Sequence, residues 1–216
     1  MITKRIIDEK GIDQTEDTVL VLGYFDGLHR GHQALFEKAR EIADEQGLKI
    51  AVMTFPESPK LAFVRYQPEL MLHLASPEDR MAQLESLGVD YLYLIDFTSH
   101  FAGNTARDFF EKYVSRLRAK AVVAGFDYHF GSDRKESHEL RDYFNGKIVI
   151  VPSVNLDNQK ISSTRIRETI AVGDMLKTQE LLGYPLSTRG IVVHGNARGR
   201  TIGYPTANLA PLDRVL

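Results

Sequence analysis

The most constraining feature is a strand–helix–strand pattern near the N-terminus of the chain. Thr18–Leu22 and Lys49–Phe55 are short apolar runs with β-branched residues, which favours two buried strands. Between them, residues 31–46 carry apolar side chains at helical spacing on one face: Leu35, Ala39 and Ile42. Gly47 supplies a helix stop. Because a crossover helix joins parallel strands, this βαβ unit predicts a parallel sheet.

The same alternation of strands and helices continues beyond residue 55. Ser76 and Pro77 begin a further helix, because serine is a favoured N-cap and proline is tolerated at the first helical position. The remaining elements are strands at Val89–Ile95, Ala121–Ala124 and Lys147–Val151, and helices at Thr105–Leu117 and after Ser162 and Ser163. This order predicts an α/β fold with a doubly wound parallel sheet.

The character of the sequence changes at Leu182, where glycine becomes frequent and the β-like run Gly190–Val193 follows. These features predict the first strands of a β module with tight turns. Since a small barrel or sandwich needs about 100 residues, we expect an incomplete β-barrel fragment here. The predicted domains are therefore residues 1–182 and residues 183–216.

Composition excludes several classes of site and partner. The chain has 216 residues and no cysteine, which excludes a disulfide framework, a thiolate nucleophile and a cysteine zinc site. Its 27 basic and 29 acidic side chains give a net charge of −2, which argues against nucleic-acid binding as the main function. There is no signal-peptide core, and no apolar run approaches the ~18 residues of a membrane span. We expect a cytoplasmic protein without a nucleic-acid or membrane partner, and the oligomeric state stays open.

The first strand runs directly into a glycine-rich turn, Gly23–His32, in which a helix begins. Such a turn collects backbone N–H groups and the positive end of the helix dipole at one point. Gly27 and Gly31 allow a ligand to approach the backbone closely. His29 and His32 are three residues apart, so both imidazoles face the same side of a helical turn. This context favours a phosphate-binding cradle with two imidazole donors.

Two further segments carry side chains suited to a nucleotide. Ile161–Arg167 combines consecutive hydroxyl residues at a helix start with Arg165 and Arg167, fixed cations that match polyphosphate oxygens. After the strand Ala121–Ala124, Asp127 can accept a hydrogen bond from a ribose or a ring N–H, and Phe130 offers a ring face. The three segments together predict a ligand site at the carboxyl edge of the sheet.

A structural alternative stays open for each of these segments. The histidines could be helix-start residues satisfied by solvent or a carbonyl, or metal ligands, although no further ligand lies at suitable spacing nearby. The second segment could be a capped surface helix with solvated arginines. The aromatic residues of the third could close the end of the sheet as part of the core.

Taken together, the motifs resemble a known family. Gly23-x-Phe-Asp-Gly-x-His-x-Gly-His32, Gly125-x-Asp127 and Ile161-Ser-Ser-Thr-Arg-Ile-Arg167 resemble the bacterial bifunctional riboflavin kinase/FAD synthetases, members of the H-x-G-H nucleotidyltransferase superfamily. The tail Gly203-Tyr-Pro-Thr-Ala-Asn-Leu209 is similar to the opening of the family's riboflavin kinase module. The resemblance implies a Rossmann-like nucleotidyltransferase domain.

The resemblance also implies an activity and a set of site residues. AMP would be transferred from ATP, carried with Mg²⁺, to FMN, giving FAD and pyrophosphate. The catalytic residues would be His29, His32 and Arg165. The ATP-binding residues would be Gly23, Phe25, Asp26, Gly27, Gly31, Gly125, Ser162, Ser163, Thr164 and Arg167. The FMN-binding residues would be Phe55, Pro59, Asp127 and Phe130, and no metal ligand is assigned in this site. In the kinase module, Gly203, Thr206 and Asn208 would hold magnesium and ATP.

The sequence departs from the family pattern after Thr54-Phe55, in the loop after Gly131, which is less glycine-rich than usual, and in the kinase module. Ser58 stands where the family has a histidine between two prolines, which affects the expected flavin contact. The catalytic glutamate of the kinase module would lie beyond Leu216, so we expect adenylyltransferase chemistry without riboflavin kinase activity. Two other functions remain possible: an H-x-G-H adenylyltransferase acting on nicotinamide mononucleotide or phosphopantetheine, or a flavin- or nucleotide-binding module without catalysis.

Overall fold

The computed structural model describes residues 1–65 and 71–216. In chain order the strands are β1 (Ile2–Ile6), β2 (Thr18–Leu22), β3 (Lys49–Thr54), β4 (Tyr91–Ile95), β5 (Ala119–Gly125), β6 (His129–Phe130), β7 (Lys135–Glu136), β8 (Lys147–Val151), β9 (Asn155–Leu156), β10 (Gln159–Lys160), β11 (Gly190–Val193) and β12 (Asn208–Pro211). The helices are α1 (Arg30–Gln46), α2 (Pro77–Ser86), α3 (Ser99–Ala102), α4 (Ala106–Phe109), α5 (Ser163–Ala171), α6 (Met175–Leu182) and α7 (Arg198–Thr201).

Six of these strands form one parallel sheet in the order β1-β4-β3-β2-β5-β8. The chain moves from β2 through β3 to β4 on one side, and then returns to build β5 and β8 on the other. The order therefore reverses between β2 and β5, which is the switch point where ligands bind in sheets of this kind. The predicted α/β class with a doubly wound parallel sheet is confirmed.

The central strand β2 shows how the sheet holds two cores. All five of its residues are buried. Val19 and Val21 face one side, where they pack in the cluster that includes α1. Leu20 and Leu22 face the other, in a cluster rich in phenylalanine and tyrosine. Because side chains alternate between the two faces of a strand, a strand that is covered on both faces has a continuous run of apolar residues in its sequence.

Local sequence signals placed several element ends correctly. β2 and β8 have their predicted bounds, and α1 begins at Arg30, one residue earlier than predicted. Helix α2 begins at Pro77, and the backbone N–H of Asp79 donates to the hydroxyl of Ser76, 3.1 Å away. These signals work because a cap and its partner are only three residues apart.

Several elements differ from the prediction, and one helix and one strand show the physical reasons. The helix predicted over Thr105–Leu117 begins as α4, capped by Thr105, but it widens into a π-helical turn over Phe110–Val114 and ends before Leu117. Strand β1 was not predicted. Of its five residues only Ile6 is buried, since β1 is an edge strand on β4, so it carries no continuous apolar run.

The C-terminal part contains a two-stranded antiparallel sheet of β11 and β12. Several of its large apolar side chains are exposed, among them Val192 and Leu209. The small antiparallel sheet agrees with the predicted fragment of a β module. Within the described residues, no helix combines the length and the apolar character that a bilayer crossing requires.

Replacing Leu84 by alanine tests the packing of α2 on the sheet. Leu84 is completely buried, so Leu84→Ala is expected to lower the free energy of unfolding by about 2–5 kcal/mol. The matched control is Leu176→Ala on α6, where the leucine is 81% exposed and the change should stay within about 0.5 kcal/mol. Urea unfolding measures both, and equal effects of the two substitutions would contradict the packing described here.

Candidate active site

A cleft of about 980 Å³ opens at the carboxyl edge of the sheet, beside the switch point. Residues from all three predicted segments, and from the stretch that follows β3, line it: Gly23, Phe25, Asp26, Gly31, His32, Phe55, Pro59, Gly125, Asp127, Phe130 and Ser163. The other predicted residues of these segments do not line it: Gly27, His29, Ser162, Thr164, Arg165 and Arg167. The fold thus brings segments more than a hundred residues apart in sequence to a single cleft.

The loop after β2, residues 23–29, is called the glycine loop here. Three of its residues have positive φ: Phe25 at 59°, Gly27 at 74° and Leu28 at 39°. At Gly27 a side chain would also lack space, because a Cβ there would lie 2.8 Å from the Cβ of Leu74. Glycine is therefore required at position 27 by both the backbone and the packing. The group that lies close to the backbone of Gly27 is therefore the side chain of Leu74, and not a ligand in the cleft.

His29 and His32 are held against each other at the start of α1. The Nδ1 atom of His29 accepts a hydrogen bond from the backbone N–H of His32 at 3.3 Å, which caps the helix. The two rings stack with their centroids 3.7 Å apart, and Phe25 packs edge-on against His32. The side-chain Nδ1 of His32 is buried and has no hydrogen-bond partner among the described residues. The prediction that both imidazoles face one side is confirmed by this stacking.

Burial determines the charge of this histidine pair. It lowers the pKa of His29 from 6.5 to about 4, and it lowers the pKa of His32 well below the usual range, with a further contribution from His29. Both imidazoles are therefore neutral at pH 7. Each then carries one N–H donor and one acceptor nitrogen.

Asp26, which lines the cleft, joins three segments of the chain. One carboxylate oxygen accepts from the backbone N–H of Leu74 at 2.9 Å, and the other accepts from Arg167 at 2.8 Å. Its backbone carbonyl accepts from the hydroxyl of Ser163 at 3.2 Å. Asp26 and Arg167, both predicted to bind ATP, are thus paired with each other. In this structure they position the glycine loop against α5.

The second predicted segment meets the glycine loop at the start of α5. Ser162 caps this helix by accepting from the backbone N–H of Arg165 at 3.3 Å, and Ser163 faces the cleft. The guanidinium of Arg165 donates to the carbonyls of Leu156 and Gln159, at 2.9 and 3.0 Å. It therefore holds the β9–β10 hairpin, and Thr164 is exposed. Whether these residues bind phosphate stays a prediction.

In the third segment, Asp127 forms an ion pair with Lys160, whose ammonium also lies 4.6 Å from the ring centroid of Phe126. Lys160 was not among the predicted site residues, although it directly precedes Ile161 and lines the cleft. Phe130 is 5% exposed and packs against Phe109 and Phe110, so most of its ring belongs to the core.

One wall of the cleft is aromatic. The rings of Phe55 and Phe97 meet edge-to-face at 5.3 Å, and Phe63 packs against Phe97 at 5.5 Å. Phe63 is largely exposed. Sequence reasoning selected only Phe55 of these three. A usable signal was that Phe97, like Phe55, follows shortly after the end of a sheet strand.

The residues predicted for a kinase module lie elsewhere. Gly203, Thr206 and Asn208 are exposed in the C-terminal part and do not line the cleft. Among the described residues, no group of three or more histidine, aspartate or glutamate side chains is arranged to hold a metal ion.

Two family profiles match the chain. The profile described as FAD synthetase matches residues 11–165, and the profile described as riboflavin kinase matches residues 182–216. Curated relatives named bifunctional riboflavin kinase/FMN adenylyltransferase are 40% identical over 194 residues in Listeria monocytogenes and 38% identical over 200 residues in Bacillus subtilis. These matches cover 88% and 91% of this chain, but only 62% and 63% of the relatives' length.

A solved structure is also similar along the whole chain. It is named a macrolide-efflux protein from Streptococcus pneumoniae and has 53% sequence identity with a TM-score of 0.96. The match covers 100% of this chain and 71% of the pneumococcal chain. The fold described above is therefore found in an experimental structure.

The pH dependence of stability tests the buried state of His29. As pH falls, the unfolded chain takes up a proton near pH 6.5, whereas the folded protein takes it up only near the lowered pKa of about 4. The contribution of neutral His29 to the free energy of unfolding is therefore fully present above pH 6.5. It decreases by about 3 kcal/mol as pH falls from 6.5 toward 4. We expect the free energy of unfolding, measured with urea, to fall by about 3 kcal/mol more in wild type than in His29→Gln between pH 7 and pH 4.

The control for this measurement is His138→Gln, because His138 is exposed. That variant should lose stability on acidification as wild type does. Equal losses in wild type and His29→Gln would contradict the burial of a neutral His29.

Proposed function

The chain belongs to the FAD synthetase family, and on that basis we propose that it transfers AMP from ATP to FMN, giving FAD and pyrophosphate. The observation that carries the proposal is the buried pair of neutral histidines at the start of α1, which lies beside the cleft at the switch point. Residues 182–216 match a different profile, and their predicted ligand residues are exposed. The proposal therefore covers adenylyl transfer alone.

In this reaction a phosphate oxygen of FMN attacks the α-phosphorus of ATP. A new P–O bond forms, the bond between the α-phosphorus and the oxygen bridging to the β-phosphate breaks, and pyrophosphate leaves. The nucleophile is already ionised and belongs to the substrate, so no protein nucleophile is needed. Such a reaction depends on positioning and on stabilising developing negative charge.

The histidine pair suits the phosphates of ATP. A buried ring nitrogen without a partner costs free energy, and Nδ1 of His32 lacks one among the described residues. A phosphate oxygen is a suitable partner when that nitrogen carries the proton. Because a polyanion favours the charged form of a nearby imidazole, ATP is expected to raise the low pKa values of this pair on binding.

The start of α5 is proposed to bind the departing phosphates. Ser163 faces the cleft, and the free backbone N–H groups of a helix start attract anions. Mg²⁺ is proposed to enter with ATP as part of the substrate, since the described residues form no metal site of their own. Arg165 and Arg167 have protein partners in this structure, so a direct phosphate contact would require either guanidinium to leave them.

The aromatic wall is proposed to hold the flavin. Phe55 and Phe97 present ring faces and edges against which the planar ring system of FMN can pack. Pro59 lines the same side of the cleft. Asp127 follows β5, which lies on the other side of β2 from β3 in the sheet. The two substrates would then meet above the switch point, beside His32.

An assay with Mg-ATP and separate acceptors distinguishes the candidate functions. Pyrophosphate released with FMN, and FAD detected by chromatography, are expected. Release with nicotinamide mononucleotide or phosphopantetheine alone would support another adenylyltransferase of the superfamily. Binding of FMN or ATP without any pyrophosphate would support a non-catalytic module. The similar pneumococcal protein is named for macrolide efflux, and no described feature of the cleft favours that activity here.

Replacing His32 by alanine tests its proposed role at the phosphates. The turnover number for FAD synthesis is expected to fall by about 100-fold, while the dissociation constant for FMN changes less than about twofold, because the aromatic wall is untouched. Steady-state kinetics and flavin fluorescence titration measure the two quantities. The control is His138→Ala, at an exposed position away from the cleft. A near-normal turnover in His32→Ala would remove this histidine from the mechanism.

A further inference from the structure

A polar chain centred on a buried histidine lies beside the cleft and contains none of the predicted site residues. It consists of Tyr24, His73 and Glu57. His73 is only 6% exposed. Its Nδ1 lies 3.2 Å from the hydroxyl of Tyr24, and its Nε2 lies 3.2 Å from Oε2 of Glu57. Nδ1 of His73 is thus hydrogen-bonded to Tyr24, and Nε2 is in close polar contact with Glu57.

The proton positions in this chain follow from the partners. Burial lowers the pKa of His73 and raises the pKa of Tyr24, so the imidazole is neutral and the phenol keeps its proton. Oε2 of Glu57 is buried and has no hydrogen-bond partner among the described residues, so its contact with Nε2 of His73 is a close approach without hydrogen-bond alignment. A carboxylate oxygen close to Nε2 favours the proton on that nitrogen, so the Tyr24 hydroxyl donates to Nδ1.

The two ends of the chain belong to different walls of the cleft. Tyr24 is part of the glycine loop, and its carbonyl accepts from the hydroxyl of Thr54 at 2.8 Å. Glu57 lies in residues 55–59, called the proline loop here, which also carries Phe55 and Pro59. His73 thus links the loop proposed for ATP to the loop proposed for FMN.

His73 is itself held in place from a third direction. Its backbone N–H donates to the carbonyl of Arg214 at 2.7 Å, and its carbonyl accepts from the N–H of Leu216 at 3.0 Å. The guanidinium of Arg214 also donates to the other oxygen of Glu57. The neighbouring Leu74 donates to Asp26. These hydrogen bonds restrict movement of the main chain at residue 73, so it does not shift together with only one of the two loops.

We propose that His73 is a positioning residue that sets the separation of the glycine loop and the proline loop, and with it the approach of the two substrates. The proposal rests on the proposed function. It predicts an effect on turnover more than on binding of either substrate, because each loop keeps its own contacts while their relative placement is lost. Small errors in the placement of reacting groups lower rates strongly.

The first experiment compares His73→Leu with wild type in FAD synthesis. The turnover number is expected to fall about tenfold, with KM values for ATP and FMN changing less than about threefold. The matched control is His100→Leu. His100 also lies 3.2 Å from a glutamate, Glu9, but it is exposed, so its loss should leave turnover within about twofold of wild type. Unchanged turnover in His73→Leu would overturn the proposal.

A double-mutant cycle separates positioning from general destabilisation. Tyr24→Phe removes one hydroxyl and keeps the ring, so it breaks the same link with little change in packing. If the link acts as a unit, the effects of Tyr24→Phe and His73→Leu on turnover are strongly non-additive. Additive effects would overturn the proposal. If His73→Leu does not fold, Tyr24→Phe alone must lower turnover several-fold for the proposal to stand.

Hydrogen exchange supplies a readout that does not depend on activity. In His73→Leu, amides of residues 23–29 and of residues 55–62 should both exchange faster than in wild type, while α6 stays unchanged. Faster exchange confined to residues 72–76 would overturn the proposal. If wild type makes no FAD, the proposed function fails, and the exchange experiment still decides whether His73 links the two loops.

Discussion

The carboxylate of Asp26 is the interaction on which the cleft depends. It is buried, and it accepts from Leu74 on one side and Arg167 on the other. Removing a buried carboxylate from water is costly unless its oxygens are paired. Three segments must therefore come together around this residue: the glycine loop, the turn at residues 72–74 and α5. The glycine loop and the start of α5 also line the cleft.

Binding a polyanion in this cleft does not require a strongly basic surface. The histidine pair is buried and neutral without a ligand, and the two arginines of the second segment are occupied by carbonyl and carboxylate groups. In the proposed function, the phosphates would be met by the neutral histidine pair and the helix starts, beside the cationic side chains of Lys60, Arg134 and Lys160 that line the cleft. This agrees with a net charge of only −2 for the whole chain.

Much of the fold could be predicted because its signals are local. Strand β2 is apolar on both faces, Ser76 and Thr105 cap the helices that follow them, and Gly47 ends α1. Each signal acts over a few residues. Strand β1 carried no such signal, since an edge strand needs only one buried side chain to pair with its neighbour.

Spacing along the chain was enough to predict the α/β alternation, the two helix starts and the position of the histidine pair. Which polar groups face the cleft depends on contacts between distant segments. Arg167 pairs with Asp26 across 141 residues, and His73 meets Tyr24 across 49. A buried charge or imidazole takes whichever partner folding brings within hydrogen-bond distance, and no local pattern records that partner.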